Sequence, residues 1–194
     1  MITLSQFWTP KFTDIRLSSA DFERFKDVST GWVYGEITEQ GIEEMLSPIP
    51  NHKGKFVDLG SGRGNICAYV YLNYGYEECV GIELSEQRWS ISEEIKKLAI
   101  KEHELSGVSF LHQDLFTYDL SDADVVFSNN IAFGNGGNAK LHEKFNAELK
   151  SGAFVVLTRL IADNSICPRM KKVVRTKAHT SWMDACPIHI YQAH

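Results

Sequence analysis

The sequence predicts a doubly wound α/β fold with a mostly parallel sheet, and three observations carry that prediction. Short apolar segments that suit buried strands alternate with longer segments that suit helices. Three of those strands end in an acid (Asp58, Glu83 and Asp114), and ligands in such sheets bind outside the carboxyl ends of the strands. Between the first strand and its helix stand Gly60, Gly62 and Gly64, which let the backbone turn tightly and approach a ligand where a Cβ would collide.

Residues 1–50 read as a small N-terminal helical cap or lid, and residues 51–194 as the main domain. In the cap, Ser18 and Ser19 precede a short helix expected at 20–28, and a turn follows around Ser29-Thr30-Gly31. Ile37, Gly41, Ile42, Met45 and Leu46 then recur at helical spacing over 36–47, until Pro48 and Pro50 stop the run. The body begins at Lys55, with strands expected at 55–59, 78–83, 108–112, 124–128 and 153–159. Helices are expected at 64–74, 86–105 and 138–149, the last ended by Gly152. Segments 172–177 and 187–193 finish the chain as a hairpin-like pair of strands, which brings the sheet to seven.

The ends of the first strands say what the crevice holds. Glu83 lies about 20 residues beyond the glycines, the spacing at which these folds place an acid on a ribose hydroxyl pair. The glycines run Gly-x-Gly-x-Gly rather than the Gly-x-Gly-x-x-Gly of a pyrophosphate loop, and Asp58 stands just ahead of them. That combination favours S-adenosylmethionine over a dinucleotide, and hence a class I S-adenosylmethionine-dependent methyltransferase fold. Asp114, with Leu115 beside it, suits an adenine amino group and ring face, although an acid there also suits a turn.

Composition bounds the rest. The 194 residues are 43% hydrophobic and 23% charged, ordinary for one globular domain, and the net charge of −5 gives no global sign of nucleic-acid binding. Cys67, Cys79, Cys167 and Cys186 show no Cys-x-x-Cys pairing and no ligand spacing with the seven histidines. Buried reduced thiols in an intracellular protein are expected, with no metal. No signal peptide and no bilayer-spanning stretch is expected. Locally the balance inverts over 159–177, where Arg159, Arg169, Lys171, Lys172, Arg175 and Lys177 face only Asp163. The segment reads equally as a docking patch for DNA or an acidic surface and as a strand edge protected by lysines.

The run from Asp124 to Gly134 is an apolar strand that ends in two amides and an aromatic turn, Ser128-Asn129-Asn130-Ile131-Ala132-Phe133-Gly134. A buried unpaired amide costs about 1–3 kcal/mol, so such a pair needs a purpose; Asn130 also suits a turn cap. At this point the chain resembles the disruptor-of-telomeric-silencing (DOT-type) family of lysine methyltransferases, which lack a SET domain and modify a lysine in the core of a nucleosomal histone. Four blocks carry the resemblance in order: Val33-Tyr34-Gly35-Glu36, Phe56-Val57-Asp58-Leu59-Gly60-Ser61-Gly62, Gly81-Ile82-Glu83, and Ser128 to Gly134. Ser181-Trp182, followed by Pro187 and Tyr191, is similar to the strand pair that closes the family's lysine channel.

The resemblance implies an S-adenosylmethionine-dependent protein-lysine N-methyltransferase. Its substrate would be a core histone or nucleosome, with a non-histone lysine or an exocyclic amine of a nucleic-acid base as the alternatives. It implies that Val33 and Tyr34 cover the methionine end of the cofactor, and that Asp58, Gly60, Ser61, Gly62 and Asn65 line its floor. Glu83 with Leu84 would hold the ribose, and Asp114 with Leu115 the adenine. Asn129 would lie between methyl group and amine, making Asn129 and Tyr34 the catalytic pair, while Phe133, Trp182 and Tyr191 wall the substrate channel. A histone substrate implies action in a nucleus, or a host nucleus, by a protein expected to be monomeric. The chain departs from the family pattern at Ile37, where a hydroxyl is usual, at Arg63, usually small and apolar, and at Asn65, commonly glutamine. An extra residue between Trp182 and Pro187 puts Ile190 where a tyrosine is expected. No long lysine-rich extension is present, so 159–177 is the segment expected to compensate.

Overall fold

A computed structural model describes residues 35–103, 105–162 and 165–194. Its strands are β1 (Lys55–Leu59), β2 (Glu78–Glu83), β3 (Val108–His112), β4 (Val125–Ser128), β5 (Phe154–Leu157), β6 (Met170–Ala178) and β7 (Cys186–Ala193). Helices are α1 (Glu39–Leu46), α2 (Asn65–Asn73), α3 (Glu86–His103) and α4 (Gly134–Glu148), with a 3₁₀ turn at Asn130–Phe133. The strands form one sheet in the order β3-β2-β1-β4-β5-β7-β6. β1 to β5 are parallel to their neighbours, while β7 runs antiparallel to both β5 and β6. This is the doubly wound sheet expected, and the final hairpin forms where the sequence predicts it.

Alternation along each strand sends side chains to two cores. Phe56, Phe127, Val156, Ile188 and Ile190 face one side, where Ile42, Met45 and Leu46 of α1 and Tyr69 and Val70 of α2 cover them. Val57, Leu59, Val126, Val155, Leu157 and Tyr191 face the other, under Leu141 and Phe145 of α4. The four cysteines are buried thiols within these layers.

Two expectations shift. The helix foreseen over 36–47 is shorter, because Thr38 caps it by accepting the Gly41 N–H and so fixes its start at Glu39. The helix foreseen at 138–149 begins four residues earlier, running through Gly134, Gly136 and Gly137 despite their poor helix propensity. Asn138 accounts for this, since its Nδ2 donates to the carbonyls of Gly134 and Asn130 and braces the first turn. The expected helix at 20–28 lies outside the described residues. No helix among the described residues is long and apolar enough to cross a membrane.

The glycine loop is held by β2. Gly60 and Ser61 both donate to the Ile82 carbonyl, at 2.9 and 3.0 Å, and Gly60, Gly62 and Gly64 all take positive φ. Gly64 is the tightest of these positions, because a Cβ there would fall 2.3 Å from the Phe110 ring at a φ of +80°. Gly64→Ala therefore combines left-handed strain with overpacking, and a loss of about 2–4 kcal/mol is expected by urea unfolding.

Candidate active site

The carboxyl ends of β1 to β4 open into a crevice of about 760 Å³. Its floor is β1 and the glycine loop (Asp58, Gly60, Ser61, Gly62), with Asn65 at the start of α2. One side is made by Glu83, Leu84, Asp114 and Leu115, and the far side by Asn129 and Phe133; Trp182, packed against Gly35, also lines it. The sheet order explains this convergence: β3, β2, β1 and β4 are adjacent and parallel, so their terminal residues share one rim.

Glu83 is 5% exposed, and both of its oxygens are engaged, Oε2 by the Gly62 N–H and Oε1 by the Ser85 N–H, each at 2.8 Å. Burial raises its pKa, opposed by the Arg88 charge and by these amides. Asp58 is in a different situation. It is 1% exposed, and among the described residues neither of its oxygens has a hydrogen-bond partner, nor does Ser61 Oγ. Burial first, and the Glu83 charge second, push the Asp58 carboxyl up to about 8.

At the β4 end, Asn129 adopts φ −79° and ψ 75°, close to an inverse γ-turn, which aims its side chain at the crevice. Its Oδ1 accepts the Thr158 hydroxyl at 2.9 Å. Asn130 turns the other way and is fully buried. Its Oδ1 accepts the Arg159 N–H, and its Nδ2 donates to Asn138 Oδ1 and to the Arg159 carbonyl. Asn130 thus locks the β4 and β5 ends together, the turn-fixing role open to it from sequence.

Residues 13–186 match the family described as histone methylation protein DOT1. The chain belongs to that family. Among its relatives is a histone-lysine N-methyltransferase, H3 lysine-79 specific, of Gibberella zeae, 35% identical over 149 residues, or 70% of this chain. Another, of the same description, is from Drosophila melanogaster, 28% identical over 146 residues, also 70% of this chain. The chain spans 30% and 8% of the length of these two relatives. Among solved structures, the B. subtilis m1A22 tRNA methyltransferase TrmK superposes with a TM-score of 0.60 at 14% identity, covering 80% of this chain and 66% of that one. A Salinibacter ruber RNA methyltransferase in complex with S-adenosyl-L-homocysteine superposes at 0.52 and 20% identity, covering 91% and 92%. At these identities the likeness is one of fold, the class I S-adenosylmethionine-dependent methyltransferase fold.

Most residues singled out in this DOT1-family sequence converge. Asp58, Gly60, Ser61, Gly62, Asn65, Glu83, Leu84, Asp114, Leu115, Asn129, Phe133 and Trp182 all line the crevice. Asp114 also keeps its turn role, accepting the Phe116 N–H at 2.9 Å. Val33 and Tyr34 lie outside the described residues. Tyr191 does not reach the crevice. It pairs with Val155 deep in the sheet, is 3% exposed, and accepts the Ile161 N–H at its hydroxyl. The strand-end register explains the correction: the crevice end of β7 is Cys186 and Pro187, not its C-terminal half. Ile190, the neighbour expected in a tyrosine's place, is buried in the opposite core. Thr38 does not stand in for the hydroxyl absent at Ile37, since its Oγ1 is spent on the α1 cap and on His179.

Sequence reasoning missed Arg88, which lines the crevice from the first turns of α3 beside Glu83, and Thr158, which anchors Asn129. A hydroxyl directly after a buried strand was the available signal for Thr158. Ile131, Asn135, Gly136 and Lys140 also line the mouth, because α4 starts earlier than its glycines suggest.

The residues fit S-adenosylmethionine. Two orphaned carboxylate oxygens at the floor call for a cation or donor, such as the cofactor's ammonium, and the positive-φ glycines leave space for it beside Ser61. An ammonium favours the ionised form of Asp58, so binding displaces the proton that the free protein holds below about pH 8. Affinity for S-adenosylhomocysteine is therefore expected to fall from pH 8 toward about pH 6, with proton release on binding across that window. Titration calorimetry in buffers of different ionisation enthalpy measures this, and Asp58→Asn should abolish the release. The free protein shows the opposite sign. A carboxyl raised from 3.8 to about 8 makes it less stable as pH rises between those values, which thermal unfolding of wild type against Asp58→Asn checks.

Proposed function

We propose that the protein is an S-adenosylmethionine-dependent protein-lysine N-methyltransferase that acts on a core histone or nucleosome. The observation that carries this reading is that Asn129, held by Thr158, lines one crevice together with the polar floor residues Asp58, Ser61 and Asn65 and the apolar rings of Phe133 and Trp182. The relatives named as H3 lysine-79 specific support a histone lysine as acceptor.

S-adenosylmethionine, when bound, supplies an electrophilic methyl group on a sulfonium. The protein's own task is to present a neutral amine in line with it. A free lysine near pKa 10.4 must be deprotonated at a cost of about 4–5 kcal/mol at pH 7. Phe133 and Trp182 strip water from the side chain, which lowers that cost by destabilising the ammonium. Asn129 Oδ1 has one lone pair taken by Thr158 and a second for the acceptor nitrogen, where positive charge develops. Asp58, Asn65 and Glu83 hold the cofactor's polar ends, and Asp114 with Leu115 its adenine. Placement rather than a strong general base accounts for the rate.

The basic segment supports docking to an anionic face of the substrate. Arg169 drops out, because its guanidinium donates to the carbonyls of Asn146, Leu149 and His194 and pins the end of α4. Lys172, Arg175 and Lys177 remain exposed on β6, the edge strand. A bulge between Lys172 and Val174 sets them opposite Tyr191, His189 and Pro187, alternate residues of β7, so all three share one face. That face runs toward the crevice end of the sheet. A histone acceptor locates the action in a nucleus, or the nucleus of a host cell.

Asn129→Ala is expected to keep cofactor affinity within about twofold while turnover on nucleosomes falls by roughly two orders of magnitude. Calorimetry and mass spectrometry of the histones measure the two quantities, and unchanged turnover would show that another group faces the amine. Lys172→Glu with Arg175→Glu should weaken nucleosome binding about tenfold at low salt and less at high salt. Gel-shift titrations at two ionic strengths check this.

A further inference from the structure

Glu36 joins three segments that are far apart in sequence. Its Oε1 accepts from Arg63 Nε at 2.9 Å, from Arg63 Nη2, and from Asn65 Nδ2 at 2.8 Å. Its backbone N–H donates to Ser181 Oγ at 3.0 Å, and its carbonyl accepts the Ser181 N–H at 2.8 Å. Ile37 and Thr180 continue this contact as an antiparallel bridge, and Thr38 donates to the His179 carbonyl. The residue after Ser181 is Trp182, whose ring lies so close to Gly35 that a Cβ there would fall 2.4 Å from Cε3. Through Glu36, then, the glycine loop beneath the cofactor is tied to the segment that carries the channel wall.

Arg63 supplies the charge in this joint. It sits between Gly62 and Gly64, both at positive φ, and is 3% exposed, so its guanidinium is held where a shift of the loop must move it. It does not line the crevice; Glu36, Asn65 and Trp182 do. We propose that Arg63 is a positioning residue that couples the two halves of the crevice: through Glu36 it fixes Trp182 against the cofactor floor, so that cofactor binding and assembly of the acceptor wall reinforce one another. This rests on the methyltransferase reading of the crevice. The joint is mechanical and electrostatic at once. Two donors of one planar guanidinium converge on the same Glu36 oxygen and so fix where that oxygen sits, which the single point charge of a lysine or a neutral side chain does not.

The test uses the full chain and S-adenosylhomocysteine. Trp182 emission is isolated as the difference between the protein and its Trp182→Phe variant, and affinity is read by calorimetry. In wild type, the ligand is expected to shift Trp182 emission. In Arg63→Met, affinity should fall about tenfold, within the usual range for coupled sites, and the Trp182 shift should vanish. Arg63→Lys should recover part of both. Glu36→Gln, close to isosteric, should act in the same direction as Arg63→Met and serves where that variant fails to fold. Full Trp182 response and affinity within about twofold of wild type in Glu36→Gln or Arg63→Met would overturn the coupling. Loss of affinity with an intact Trp182 response at saturation would also overturn it, because Arg63 would then serve the cofactor alone. Absence of S-adenosylhomocysteine binding to wild type overturns the methyltransferase reading, and the proposal with it, and so separates the two failures.

Discussion

A carboxylate withdrawn from water organises this crevice. Glu83 is buried at the end of β2, where an isolated charge would be costly, and what offsets that cost is also what builds the site. One oxygen takes the Gly62 amide and the other takes the Ser85 amide, so the glycine loop after β1 and the turn into α3 are both referred to one group. The Arg88 charge adds to this from the other side. The Gln113 amide then donates to the Glu83 carbonyl, and the β3 end is carried along with it. Three strand ends that share no contact in sequence thereby keep a fixed spacing. Burial raises both acids, but Asp58, one strand over, has no such partner among the described residues and is pushed up to about 8, whereas the Glu83 rise is opposed by Arg88 and the amides.

The far wall follows a second logic, in which neutral amides replace charge. Asn130 satisfies its own buried amide with Asn138 and Arg159, while among the described residues Asn129 bonds only the Thr158 hydroxyl. The two adjacent asparagines divide into one that closes the structure and one that remains available. The first supports the second: the β4–β5 ladder ends at the Ser128–Leu157 pair, which brings Thr158 beside Asn129, and the Asn130 bonds to Arg159 continue that junction. Bracing of α4 through Asn138 extends the same network and lets a helix start across three glycines, which clears side chains from the mouth of the crevice.

These contrasts explain what was legible in the sequence. Strand ends, glycine turns and acids are local signals, so the fold and the cofactor side of the crevice could be read residue by residue. What escaped depends on register between distant strands. Tyr191 is expected in the channel only from the resemblance of Ser181-Trp182, Pro187 and Tyr191 to the family's closing strand pair, but β7 runs away from the crevice, and each residue along it changes face. Thr158 acts through Asn129 at the end of another strand, and nothing adjacent to it in sequence announces that partner; Arg88 follows Glu83 by only five residues, but its role appears only once the helix turns it back on that carboxylate. The early start of α4 is hidden because propensity argues against glycine, and the Asn138 side chain, bonding back to Gly134 and Asn130, is what braces the turn.

The charge pattern at the sheet edge resolves an opposition that composition alone leaves open. Lysines on an edge strand protect it from pairing with another strand, and basic residues on an exposed face suit anions; the exposed cations of β6 are placed for either role. The bulge at Val173 is what reconciles them. It interrupts the hydrogen-bonding rhythm, which discourages strand addition, and it turns Lys172 onto the face of Arg175 and Lys177. The net charge of −5 does not oppose this, because at physiological ionic strength charges beyond about 8 Å are largely screened. An anionic partner approaching the β6 edge therefore meets a local cation stripe rather than the mean charge of the chain. Since β6 and β5 point the same way, that stripe leads toward the rim of the crevice that Trp182 and Asn129 line.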